Sequence, residues 1–388
     1  MKPRVGVVVA ELGIPSEVWI LRQCLEFQEV EPVLLYWKMA ENAVEIPSGL
    51  ETRQFGTPFA PPASLWRRAS RRLGSASAVL PDEAQRRDIR HTVAEASVDA
   101  VLCHFAWSGL PVSAALGGSV PVVWQVHGRD VSTRMHDPAY RRAVAKALPT
   151  VDHLVTVGTF QRDLLAPLGL TERSSVIPCG APLAVFAQGP LPVHEAGRPF
   201  RFVSVGRLSP EKGVLESLEA FERIAPSRPD IELVFIGDGP LRPTLEAAAA
   251  RSGVSDRVHL LGLQPPPVVA STLRDGHAFL QHSRQVDGWV EGFGVTLTEA
   301  GASGLPLVAS RLGGIVDQVR HGENGFLFEP GDVATQAELM ARLADDEALR
   351  RQMGANARRV AETFDSRLMT GRLEQVLLEA IARGSVRR

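Results

Sequence analysis

Cysteine is scarce in this 388-residue chain: Cys24, Cys103 and Cys179 are far apart and share no metal-type spacing. Neither a disulfide scaffold nor a cysteine-built zinc site is encoded, and a reducing compartment is the simpler setting. Charge of one sign is also missing. The 42 Lys and Arg balance 44 Asp and Glu to a formal −2, which speaks against a nucleic-acid partner. No apolar run approaches the roughly 18 residues a spanning helix needs. The opening MKPRVGVVVAELG holds about five apolar residues before Glu11 and reads as a first strand, because a signal peptide needs an apolar centre of roughly 7–15. A cytoplasmic protein is expected, free or peripheral on the inner membrane face. Several catalytic signatures are absent as well. There is no G-x-x-x-x-G-K-[ST] loop, no G-x-G-x-x-G after the first strand, no G-x-S-x-G elbow, no H-E-x-x-H and no Asp-x-Asp pair. P-loop nucleotidases, dinucleotide dehydrogenases, α/β-hydrolases, zincins and a metal held by an Asp-x-Asp pair are thereby disfavoured.

What is present is alternation. Short runs rich in valine and isoleucine (RVGVVVA, VEPVLLYW, DAVLCHF, VPVVWQVHG, DHLVTVG, SSVIPCG) alternate with amphipathic stretches such as 17–28 and 138–147. The second half repeats the theme with RFVSVGRL, IELVFIGDG, RVHLLG, HAFLQHS, LPLVAS and GFLF. Near-continuous apolar strands between helices predict βαβ units and parallel sheets buried on both faces. The length predicts two domains. The expected architecture is α/β, two doubly wound Rossmann-like domains facing each other across a cleft. Expected bounds are 1–180, a proline-rich linker over 181–199, a second domain over 200–365, and a C-terminal helix over 366–388 that could close back on the first domain. Within the irregular region 53–89, LWRRASRRL runs from Leu65 to Leu73 with four arginines. It reads as a solvated helix face, the alternative being contact with anionic lipid.

The stretch GWVEGFGVTLTEAGASG places Glu291 and Glu299 eight residues apart, the first in a glycine-rich turn and the second inside a predicted helix. A helix start leaves amide groups unpaired and carries partial positive charge, so it suits a phosphate. Gly292, Phe293, Gly294 and Val295 form that start. Carboxylates beside a phosphate make sense as acceptors for hydroxyls at either end of the ligand, which describes a nucleotide-sugar. The competing reading is that both acids merely decorate a helix N-terminus. VSVGRLSPEKG ends a predicted strand at Gly206 and offers Arg207 and Lys212, two cations able to neutralise a diphosphate without a metal; an exposed basic turn is the alternative. His127, in WQVHGRD, follows a buried strand, where a structural histidine is the commoner case. Gly13 ends the first strand before a Ser16 N-cap candidate.

Taken in order, HGRDVS, VGRLSPEKG, IGDGPLR, EGFGVTLTEAGASGLPLVAS and GGIVDQVRHGENGFLFEPGD resemble a family 4 glycosyltransferase of the GT-B fold. GIPSEVWILRQ resembles the start of exopolysaccharide and colanic-acid transferases. The resemblance implies a retaining transfer of a hexose from a UDP- or GDP-sugar to a sugar or lipid-linked sugar, with no cofactor and no metal. It implies that Arg207 and Lys212 hold the diphosphate, Glu291 the transferred sugar's hydroxyls and Glu299 the ribose. The amides around Phe293 to Val295 would contact phosphate, with Gly206, Gly292 and Gly294 lining the donor site. His127 would sit beside the transferred sugar, and Gly13 would line the donor or acceptor side. Two departures stand out: Gly13 lacks a neighbouring glycine, and the family's GGxxE appears as GGIVD, ending at Asp317. Trp289 has no place in the pattern. A sugar-nucleotide epimerase and a catalytically silent sugar-nucleotide binder are the alternatives.

Overall fold

The computed structural model describes residues 1–57, 79–169, 172–195 and 197–387. The segment from Leu65 to Leu73 lies outside them. The chain divides into two compact units, Met1–Cys179 with Ser366–Arg388, and Gly180–Asp365.

The first unit is built on seven strands: β1 (Arg4–Leu12), β2 (Glu31–Met39), β3 (Glu51–Gln54), β4 (Ala100–His104), β5 (Val122–Val126), β6 (His153–Thr156) and β7 (Ser174–Val176). They lie in the order β3-β2-β1-β4-β5-β6-β7 and pair in parallel throughout. Six of these are the predicted runs. The seventh, β3, is ETRQ, a polar edge strand with nothing apolar to betray it. Period two shows on both faces. Val8, Leu35, Val101, Cys103 and Trp124 pack one way, and Val7, Val9, Leu34, Leu102 and Val123 pack the other.

The second of these faces is covered by the C-terminal helix Ser366–Arg387, through Met369, Leu373, Val376 and Leu377. Glu374 fastens it: its Oε1 accepts the amides of Gln28, Glu29 and Val30 at 2.9, 2.5 and 2.9 Å. Those three amides lie just before β2, so one carboxylate satisfies a turn that no strand or helix serves.

The second unit repeats the plan with β8 (Phe200–Val205), β9 (Ile231–Ile236), β10 (Val258–Leu260), β11 (Ala278–Gln281), β12 (Leu307–Ser310) and β13 (Gly325–Phe328), in the order β10-β9-β8-β11-β12-β13. In both sheets the order reverses beside the first strand, at β1/β4 and at β8/β11. Ligands of doubly wound sheets bind outside the strand C-termini at such points.

One expectation needs correction. Residues 181–199 are not a free linker along their whole length. Ala181, Leu183 and Phe186 are buried in the core of the second unit, with Leu183 and Phe186 three apart in the one-turn helix Leu183–Phe186. Spacing of three puts both on one face, so four residues suffice to seat the entry to the unit.

Candidate functional site

The candidate residues form one group in each unit. In the second unit the group sits past the C-termini of β8 and β11. Gly206 follows β8, and the chain then turns through Arg207 and the 3-10 turn Pro210–Lys212. Arg207 is exposed, and no hydrogen bond or ion pair holds its guanidinium among the described residues. Lys212 is engaged: its Nζ donates to Glu291 Oε2 at 2.6 Å and lies 5.1 Å from the centroid of the Trp289 ring. Gly213 sets this turn. Its φ is +58°, and a Cβ there would stand 1.9 Å from the carbonyl oxygen of His282.

Glu291 is 6 % exposed. Three donors converge on its Oε2: Lys212 Nζ, Gln281 Nε2 at 2.9 Å and Ser283 Oγ at 3.1 Å. A buried carboxylate survives only with such compensation. No partner among the described residues takes Oε1, which leaves it as an acceptor for a ligand. Gln281 ends β11 and Ser283 lies two residues on, so the strand's period of two brings both side chains to the same carboxylate. His282, between them, turns the other way. It is fully buried, its Nδ1 lies 2.6 Å from Gln336 Oε1, and its Nε2 accepts the amide of Gly331 at 2.8 Å. That second bond fixes the neutral tautomer with the proton on Nδ1.

The helix Val295–Ala302 starts at Gly294, at φ +82°, with no side chain capping it. Its first amides are thus available to an anion. Gln318 braces this start. Its Nε2 donates to the carbonyls of Phe293 and, at 3.2 Å, Gly294, while its Oε1 accepts from Thr298 Oγ1 at 2.6 Å. The amide of Gly314 donates to the Glu291 carbonyl at 3.0 Å. Gly314 itself packs on Gly292, where a Cβ would come within 2.2 Å of the carbonyl oxygen. Gly292, Phe293, Gly294 and Val295 therefore form the loop-to-helix junction the sequence implied, and Glu299 lies in the helix's second turn, partly exposed. Asp317 closes the short turn Gly313–Asp317 just before Gln318.

In the first unit, His127 follows β5 and is 8 % exposed. Its Nε2 lies 3.2 Å from Nδ1 of His104, the last residue of β4, and its Nδ1 lies 3.6 Å from Cys179 Sγ. Trp19 and Phe105 flank the ring, with centroids at 4.5 and 4.6 Å. The backbone is held by Asp130, which accepts the amides of His127, Gly128 and Ala106 at 3.1, 2.9 and 2.9 Å. Burial lowers the His104 pKa to about 3 and pushes that of His127 well down, with His104 adding to the effect on His127. Both rings are neutral at pH 7. A hydroxyl ligand for His127 would have to displace one of two existing neighbours, the thiol being the weaker. Gly13, at φ +86°, lies in the first unit too, with Ala43 against it.

Residue motifs alone missed Gln281, Ser283, His104 and Gln318. The first three lie at or just past strand C-termini, so the crevice rule applied to every strand end would have flagged them. Gln318 had no such signal.

The histidines set an acid response. Burial lowers His104 to about 3 and His277 to about 4, and it also depresses His127, His153 and His282. A depressed histidine contributes stability that is present above its unfolded value near 6.5 and lost as pH falls toward the folded value. Glu17, raised to about 7 by burial and then by Glu11 and Asp130, works in the opposite sense, as do Asp130 and Glu222, both raised chiefly by burial. Five groups oppose three, so the urea midpoint is expected to drop between pH 7 and pH 5, at about 1.4 kcal/mol per pH unit for each histidine titrating. An unchanged midpoint would show that the rings protonate freely.

Known proteins resemble this chain in sequence and fold. The family profile "Glycosyltransferase Family 4" matches residues 51–185, and "Glycosyl transferases group 1" matches residues 192–360. Together the two profiles match most of the chain, which resembles the family 4 glycosyltransferases. Among similar proteins, an amylovoran biosynthesis glycosyltransferase of Erwinia amylovora is 30% identical over 272 residues, 65% of this chain and 63% of that protein. N-acetyl-alpha-D-glucosaminyl L-malate synthase of Bacillus anthracis is 34% identical over 171 residues, 44% of this chain and 43% of that one. The chain thus spans less than two thirds of either relative's length. Its fold is that of solved GT-B structures: HepE of Anabaena, in complex with UDP, superposes with a TM-score of 0.77 at 17% identity, over 98% of this chain and 100% of that one.

Proposed function

We propose that the chain is a retaining glycosyltransferase that moves a hexose from a UDP- or GDP-sugar to a hydroxyl of a sugar or lipid-linked sugar, in the making of a surface polysaccharide. The carrying observation is the Glu291 carboxylate, held on one oxygen by Lys212, Gln281 and Ser283 beside an uncapped helix start. A cation, free amides and an open carboxylate oxygen within one loop cluster match the anionic and hydroxylated parts of a nucleotide-sugar. Both matched profiles describe glycosyltransferases, which favours transfer over epimerisation. The intact Glu291–Lys212 pair speaks against a silent binder.

In the reaction the bond from the anomeric carbon to the diphosphate oxygen breaks and a bond to the acceptor oxygen forms on the same face. The leaving phosphate oxygen takes the acceptor's proton. Lys212, Arg207 and the amides from Phe293 to Val295 stabilise the charge that develops on the diphosphate, the kind of term that dominates many enzymes. Glu291 accepts from hydroxyls of the sugar through Oε1, and Glu299 from the ribose. Gly13 and His127 enter on the resemblance alone. Because two cationic side chains answer the diphosphate, the reading is metal-independent: transfer in excess EDTA equals transfer without it.

Among the described residues no helix is long and apolar enough to cross a membrane. All three cysteines are free, which agrees with a cytoplasmic site of action. Following release of free UDP or GDP from a panel of sugar donors, with and without sugar acceptors, tests the whole reading. Acceptor-dependent release is the expected result. Conversion of the donor sugar without release would indicate an epimerase, and binding without turnover a silent partner.

A further inference from the structure

Trp289 is the one large aromatic of this loop cluster that family resemblance leaves without a role. QVDGWV, 285–290, folds as a tight reversal. The Trp289 amide donates to the Val286 carbonyl at 2.8 Å, and the two residues form an antiparallel bridge. Both central residues are left-handed, Asp287 at φ +49° and Gly288 at φ +75°. This is type I′ geometry, for which Asp-Gly is a preferred pair. A left-handed aspartate costs backbone energy and persists only where the surroundings hold it. Here they do. The amide of Arg284, just before the turn, donates to the Glu211 carbonyl at 2.9 Å, and the Arg284 guanidinium pairs with Glu216. Glu211 is the neighbour of Lys212. The reversal is therefore fastened to the loop that carries Lys212, and it presents the Trp289 ring 5.1 Å from the ammonium.

We propose that Trp289 is a positioning residue for Lys212. Its ring face keeps the ammonium in the site while that ammonium exchanges the Glu291 carboxylate for the donor's diphosphate. The identity of the incoming anion rests on the transfer reading; the hold on Lys212 does not. Lysine is a hydrated point charge on a flexible stem, so an ammonium released by Glu291 would swing into water and lose its placement. A ring face attracts the charge through its quadrupole and uses none of the three N–H donors. The diphosphate can take those donors while the ring stays in place. Gln281 and Ser283 continue to satisfy Glu291 Oε2 after Lys212 departs.

The test has two arms, both on the full chain. In the ligand-free protein, acetylation of Lys212 by N-hydroxysuccinimidyl acetate is followed by peptide mass spectrometry. Trp289→Leu, which keeps apolar bulk and removes the ring, is expected to react roughly five-fold faster, and Trp289→Phe within roughly two-fold of the parent. In the second arm, UDP and GDP binding is measured by calorimetry. Trp289→Leu weakens it roughly five-fold in the parent background and adds nothing in the Lys212→Ala background. Equal labelling rates, or the same loss of affinity with and without Lys212, overturns the proposal. A parent chain that binds neither nucleotide while the labelling rates differ leaves Trp289's hold on Lys212 standing and removes the donor reading instead.

Discussion

Glu291→Gln is expected to lower transfer by roughly 10²–10³-fold while leaving the unfolding midpoint almost unmoved. The amide is nearly the same shape, and its oxygen still accepts from Gln281, Ser283 and Lys212. What disappears is the negative charge: Lys212 keeps a hydrogen bond but loses its ion pair, and the sugar hydroxyls lose a charged acceptor. Glu291→Ala is expected to lose as much activity and also about 3 kcal/mol of stability, because it strands three donors around a carboxylate site only 6 % exposed. The contrast between the two variants separates function from folding. Turnover by the glutamine variant at the parent rate would remove Glu291 from the chemistry, and an alanine variant as stable as the glutamine one would show that the donors find other partners.

The second large effect is structural. Gly213→Ala is expected to cost more than about 4 kcal/mol, at the exceptional end for one substitution. Two penalties add: the left-handed φ of +58° disfavours any side chain, and the new Cβ would overlap the His282 carbonyl oxygen at 1.9 Å. That carbonyl sits between Gln281 and Ser283, so a chain that yields to the overlap moves the Glu291 partners and the Lys212 turn together. Where the variant folds, it should therefore bind nucleotide poorly. Gly253→Ala is the control. Its φ is +71°, yet a Cβ there would meet nothing within 4 Å, so only the conformational penalty of about 1 kcal/mol remains. Equal urea midpoints for the two variants would contradict the close packing of Gly213 on His282.

How far the sequence was legible follows from where the physics is local. Twelve of the thirteen strands announced themselves as apolar runs, since a strand buried on both faces has nowhere to put a polar residue. ETRQ, at the sheet edge, had no such obligation and was missed. The supposed linker was misread because its four prolines masked Leu183 and Phe186, whose burial depends on a surface made by distant residues. In the site, the glycine spacing and the acids marked Glu291, Glu299 and the helix start, and the strand end marked Arg207 and Lys212. The expectation treated Glu291 and Lys212 as separate contacts to one ligand. That they pair with each other could not be read, since they are 79 residues apart and only the β8/β11 adjacency joins them.

The order of apolar runs and breakers by itself determined two parallel sheets, twelve of their thirteen strands and a phosphate-ready loop, because backbone geometry and burial follow from neighbours in the chain. Tertiary structure alone decided which donors reach Glu291, that both ring nitrogens of His127 are already engaged, and that Trp289 lies over Lys212. Those depend on side chains from separate strands arriving at one point, and electrostatic and hydrogen-bond energies fall off within a few ångströms, so no pattern along the chain encodes them directly.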